Sequence, residues 1–159
     1  MKDHDYSPKN AERQMAQIRA TPNLIAEAVM GLNEDTLRSA PGKEWSAVQI
    51  LAHLLSCDSV WFHAIYEILT LKSPTLTKIA PNDWSRTVPY EHAAFSDLMQ
   101  KFIFDRKILL DVLKDLPPDR WEWQAKIGTL THNVYGLVRR TAMHDVVHVA
   151  QIQNLFKRT

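Results

Sequence analysis

Residues 46–70 read SAVQILAHLLSCDSVWFHAIYEILT, a run without glycine or proline. Ser46 and Gln49 match the capping box, in which a serine hydroxyl and a glutamine side chain each accept a backbone amide of the first helical turn. Ile50, Leu51, Leu54, Leu55, Val60, Trp61, Ile65, Ile68 and Leu69 then recur at the three- and four-residue spacing of one helix face. The run predicts a long amphipathic helix whose apolar face must be covered by other parts of the chain.

Working outward, glycine and proline gather in three zones, Gly31–Gly42, Pro74–Pro89 and Pro117–Gly128. These breakers leave four long segments joined by three connections. The first segment runs from about Pro8 to Met30. Ser7-Pro8 and Thr21-Pro22 both resemble an N-cap followed by a first-turn proline, and a single kinked helix is the preferred reading. The third runs from about Tyr90 to Asp115, with Phe95, Leu98, Met99, Phe102, Ile103, Leu109, Leu110 and Leu113 as its stripe. The fourth starts at Thr129 or Thr131 and runs to about Lys157. Four amphipathic helices predict an all-α, antiparallel four-helix bundle. The connection Lys72–Pro89 is a long crossover, and its β-branched residues are too few and scattered for a sheet. No repeat or composition shift divides the chain, so residues 1–159 read as a single domain.

Composition narrows the function. Average usage would place roughly eleven glycines in a chain of this length, and there are four. Gly31, Gly42, Gly128 and Gly136 cannot write a phosphate-binding loop, which argues against nucleotide binding of that kind. A net charge of +1 offers no broad footprint for nucleic acid. One cysteine makes no internal disulfide. Met1–Asn10 is polar, unlike a signal peptide, and no run approaches the ~20 apolar residues of a membrane span. The expectation is a soluble cytoplasmic protein.

Seven histidines remain. His144 and His148 are four residues apart, so on a helix they lie one turn apart on one face. Two imidazoles so placed can share one metal ion. The two histidines interrupt a row formed with Leu137, Gln151 and Leu155 that otherwise faces the core. Asp145 replaces the glutamate of the zinc-protease helix motif and points about 100° away. His53 is embedded in an apolar run of the second segment. It reads either as a core histidine bonded to a carbonyl or as a third ligand from a facing helix. Three histidines with an open position make a catalytic type of site, and imidazole ligation suits zinc, nickel, copper or iron.

These residues resemble the DinB-like superfamily of helical-bundle metalloproteins. The likeness rests on Glu44-Trp45-Ser46 with Ala52-His53-Leu54, on Arg106 and Leu110, on Gly128-Thr129-Leu130, and on Met143 to Ile152 with its H-D-x-x-H-x-x-Q-I pattern. It implies a four-helix bundle, commonly homodimeric, with His53, His144 and His148 as ligands of a divalent metal. It also implies activities such as thiol-cofactor transfer or thiol-dependent isomerisation. Asp58 stands where many relatives carry glutamate, which leaves the role of that carboxylate open.

Other residues carry paired readings. Cys57, one turn after His53, is either a fourth ligand, a redox-sensitive thiol or a small buried apolar residue. Gln151 either bonds a metal-bound water or makes a polar contact behind the site. Arg140 either binds an anionic substrate or is an ordinary exposed arginine. His132 and Tyr135, taken as helical, fall off the His144 face, and His4, His63 and His92 read as surface or rim residues. Trp45 reads as a plug at the base of the second helix, and Trp121-Glu122-Trp123 as a lid or dimer contact. The expected function is a metal-dependent enzyme acting on a small molecule, with a thiol-cofactor S-transferase using a low-molecular-weight thiol as the preferred reading. The alternatives are a hydrolase, a non-catalytic metal-bound binding or stress-response protein, and a bundle without metal.

Overall fold

In the computed structural model, which describes residues 5–157, the elements run in the order α1 (Pro8–Ala28), α2 (Glu34–Arg38), α3 (Ala47–Leu71), β1 (Thr75–Leu76), α4 (Pro81–Thr87), α5 (Phe95–Leu113), β2 (Gln124–Ile127), β3 (Leu130–Asn133) and α6 (Val134–Phe156). Short 3-10 helices at Tyr90–His92 and Pro118–Glu122 precede α5 and β2. His4 lies outside the described residues.

The capping box of α3 forms: Ser46 Oγ accepts the Gln49 amide at 3.2 Å, and Gln49 Oε1 accepts the Ser46 amide at 2.9 Å. The helix is long and apolar enough by composition to cross a bilayer, unlike the sequence-based expectation that no run comes near a membrane span. Yet 72% of its most apolar window is buried inside the protein, where it forms the centre of the bundle. α1 continues through Pro22 as one helix, and Ser7 caps it by accepting the Asn10 amide at 3.1 Å.

Two apolar clusters show how the four long helices run. One joins Ile18 of α1, Ile65 of α3, Leu109 of α5 and Val138 of α6. The other joins Ile25, Ile50, Phe102 and Ile152 of the same four helices. The second half of α3 therefore meets the first half of α6, so these two are antiparallel, as are α1 and α5. α3 and α5 run parallel, as do α1 and α6. The long connection makes this possible by returning the chain along α3 to the end where α3 began, with α4 and the Tyr90–His92 turn packed on α3.

Two expectations are corrected. The fourth helix begins at Val134, capped by Asn133, and not at Thr129 or Thr131. The preceding residues form a hairpin, β2 pairing antiparallel with β3, and β1 of the crossover adds a parallel third strand. Gly128, with φ of 61°, opens the two-residue turn as in a type II′ hairpin.

Candidate metal centre

The antiparallel packing of α3 on α6 brings His53 opposite His144 and His148. His144 Nε2 lies 3.1 Å from His53 Nε2 and 3.0 Å from His148 Nε2. One ring nitrogen from each histidine falls within 4.8 Å of the others, so the three could hold a metal ion. His148 Nδ1 is 2.9 Å from Gln151 Oε1, an acceptor, so a proton on Nδ1 satisfies that contact and leaves the Nε2 lone pair for the centre. This is the usual arrangement behind a metal-bound histidine. Trp45 meets the His53 ring edge-on at 5.1 Å, and Trp61 meets His144 likewise at 5.1 Å.

Electrostatics favours the neutral form of His53 and His144. Burial, followed by the charge of His148, lowers the pKa of His53. Burial, the neighbouring histidines and Arg106 and Arg140 lower that of His144 to about 3. Neutral imidazole is the form that offers a lone pair to a cation. Three converging Nε2 atoms also fit a cation better than they fit one another, because each direct contact needs one nitrogen to carry a proton.

The shift has a sign that can be measured. His144 binds its proton near 6.5 when unfolded and near 3 when folded, so its contribution is full above 6.5 and falls as pH drops through that window. Asp58, raised to about 7 chiefly by burial, works in the opposite direction. Metal-free protein is therefore expected to lose stability relative to its His144→Gln variant as pH falls from about 6.5 toward 3, read as the difference of their urea midpoints. A constant difference would contradict it. Gln151→Leu, which removes the partner of His148, is expected to weaken metal affinity by about 10–100-fold in competition titrations with a chelator.

Asp145 does not reach the histidine rings. It points into the bundle, where Arg106 binds it at 2.8 Å through Nη2 and also through Nη1. The same guanidinium holds Asp58 by Nε at 3.0 Å and Nη2 at 3.1 Å. Thr21 Oγ1 donates to Asp145 at 2.8 Å. Each of the four long helices thus contributes one residue to a buried network beside the three histidines. The role of Asp58 that sequence left open is to hold Arg106. This network was invisible in the sequence, since its members are 39 to 124 residues apart from Asp145 or 48 from each other.

An open cavity of about 920 Å³ faces the centre. His53, His144, Cys57, Trp61, His132 and Arg140 are among the residues that line it. His132 is a correction: it stands on β3, not on a helix, and reaches this cavity after being excluded by helical rotation. The alternation of Ala125, Ile127, Leu130 and His132 about Gly128-Thr129 was the available hairpin signal. Cys57 Sγ lies 3.7 Å from His53 Nε2, and burial pushes its thiol up to about 12, so it stays protonated. Arg140 lies over the Trp61 ring at 5.2 Å. His63 pairs with Glu67 at 3.3 Å and His92 is exposed, and neither lines the open cavity. Trp121 is buried and stacks on Tyr6 at 5.7 Å, so it packs within the chain.

The DinB superfamily model matches residues 17–152. No curated protein matches the sequence. Among solved structures, YfiT from Bacillus subtilis, described as "a probable metal-dependent hydrolase with an unusual four-helix bundle topology", superposes with a TM-score of 0.85 at 15% identity, covering 97% of this chain and 90% of its own. The sibling lethal factor precursor DfsB gives 0.72 at 14% identity, over 96% of this chain and 97% of its own. The colibactin self-resistance protein ClbS, solved with a double-stranded DNA, gives 0.66 at 13% identity, over 94% and 96%. At these identities the likenesses speak for a shared fold. The extent of the family match, together with that fold, leads to one conclusion: the chain belongs to the DinB superfamily.

Proposed function

We propose that His53, His144 and His148 hold one divalent metal ion and that the protein is a metal-dependent enzyme acting on a small molecule, a thiol-cofactor S-transferase. The observation that carries this reading is the convergence of three histidine Nε2 atoms at the wall of an open cavity. The donor set suits zinc or nickel, with iron or copper as alternatives. When bound, such an ion supplies Lewis acidity and keeps its full charge among neutral ligands, which favours an anionic group such as a thiolate. Gln151 orients His148, and Trp61 and Trp45 wedge the two other rings in place. Asp58 and Asp145 are both engaged by Arg106, so neither serves as a base at the cavity.

His132 favours a second reading. Its ring lines the cavity, and burial followed by Arg140 lowers its pKa, so it is a neutral acceptor at pH 7. A base so placed supports a hydrolase, in keeping with the description of YfiT. The near-neutral charge supports a small-molecule partner over nucleic acid, although ClbS was solved with DNA. The single thiol fits a reducing cytoplasm, and the exposed Phe104 and Ile108 on α5 support a homodimer.

Elemental analysis of protein purified without a histidine tag is expected to find close to one metal ion per chain. Metal-loaded protein is then incubated with bacillithiol, mycothiol or glutathione and an alkyl halide. Conjugation that stops on chelation and in His53→Ala supports the transferase. Metal present without conjugation by any of the three thiols overturns it. Ester hydrolysis that declines in His132→Gln would establish the second reading, and bound metal with no turnover of either kind would identify a binding protein.

A further inference from the structure

A smaller pocket of about 250 Å³ shares Trp61, Ala80, Pro81, His132 and Arg140 with the metal-facing cavity. Its remaining walls carry an apolar side of Leu76, Ile79, Trp84, Ile127, Leu130 and Leu137, with Lys78 and several hydroxyl side chains at other points of the lining. Ile79 and Leu130 leave much of their apolar surface exposed around it. Trp84, on one wall, has a buried indole Nε1–H with no hydrogen-bond partner among the described residues. The pocket's one carboxylate, Glu67, is paired with His63 at 3.3 Å.

Charge is distributed in a matching way. No aspartate or glutamate lines the larger cavity. Arg140 stands where the two spaces meet, stacked on Trp61 and paired with no carboxylate among the described residues. An arginine fork suits a carboxylate in particular, because two parallel N–H groups match its two oxygens.

We propose that the substrate is an acidic amphiphile whose carboxylate binds Arg140 at the junction of the two cavities and whose apolar ring or short chain fills the side pocket against Trp84. The inference deepens the reading of the metal site by naming the class of molecule brought to it. A pocket of this size is below the ~300 Å³ usual for drug-sized ligands, which limits the apolar part to about one ring.

The test is calorimetric titration of the full chain with phenylbutyrate, its neutral amide and butyrate, first with metal stripped by chelation and then with zinc restored. Phenylbutyrate is expected to bind at least about ten-fold tighter than either control in both states. Arg140→Gln is expected to lose about ten-fold or more for the acid and nothing for the amide, an effect that a merely structural role would not produce. Absence of phenylbutyrate binding, equal affinity for acid and amide, or equal affinity for phenylbutyrate and butyrate would overturn the proposal. So would acid binding that appears only with zinc, because the carboxylate would then sit on the metal. Failure of the metal reading shows separately, as protein that does not retain zinc.

Discussion

Arg106→Leu is expected to lower the free energy of unfolding by roughly 3–5 kcal/mol, the loss typical when one partner of a buried ion network is removed. The side chain is 1% exposed and lies between Asp58 and Asp145, themselves 1% and 0% exposed. Without the guanidinium, two carboxylates remain side by side in the bundle interior, each deprived of its charged donor. Burial already pushes Asp58 up to about 7 with Arg106 present, and removing the cation takes away the main force opposing that rise. Because small domains are stable by only about 5–15 kcal/mol, much of the margin would go. Arg106→Lys is expected to recover little, since one ammonium cannot reproduce a fork bound to two carboxylates. The combined change Asp58→Asn, Arg106→Leu and Asp145→Asn is expected to recover part of the loss by removing the stranded charges. Urea titration followed by circular dichroism reads all three. A loss under about 1 kcal/mol for Arg106→Leu would mean that the network does not hold the four helices together.

The second large effect concerns the metal. His144→Ala is expected to reduce bound metal from near one ion per chain to under about a tenth, because two imidazoles rarely retain an ion that needs three. His144 is the best choice since its Nε2 contacts both of the other ligand nitrogens, at 3.1 and 3.0 Å. The fold should persist, as the ring is only half-buried and takes no part in the Arg106 network. His63→Ala serves as the control, because that ring is exposed and meets Glu67. Saturating metal at about 100-fold over its dissociation constant is expected to stabilise the native protein by ~2.7 kcal/mol and His144→Ala by far less. Full metal content in His144→Ala would refute the three-histidine site.

The helices and the His144–His148 pair were legible because both depend on short spacings. Ser46 and Gln49 set the start of α3, and a four-residue step put His144 and His148 on one face. His53 gained meaning only through the family pattern, since nothing in its own surroundings distinguishes a ligand from a core histidine. His132 was misplaced because a four-residue strand was read as the first turn of a helix. Thr129 and Thr131 mimic caps, while the cap that forms is Asn133, whose side chain accepts the Gly136 amide at 2.7 Å.

Periodicity and capping are local properties, so the sequence carried the four amphipathic segments, their approximate limits and the His144–His148 pair. Which faces meet depends on how the chain crosses itself, and that was settled by the tertiary structure. Parallel placement of α5 beside α3 required the long connection to run back along the bundle, and this same path set α4 and the hairpin over the cavity. Only then did Asp58, Arg106, Asp145 and Thr21 close into one network, and only then did His132 and Arg140 face the same space as the three histidines. No local rule links residues so far apart in sequence. Burial supplies the link, because a charge removed from water must find its partner in whichever helix the packing brings beside it.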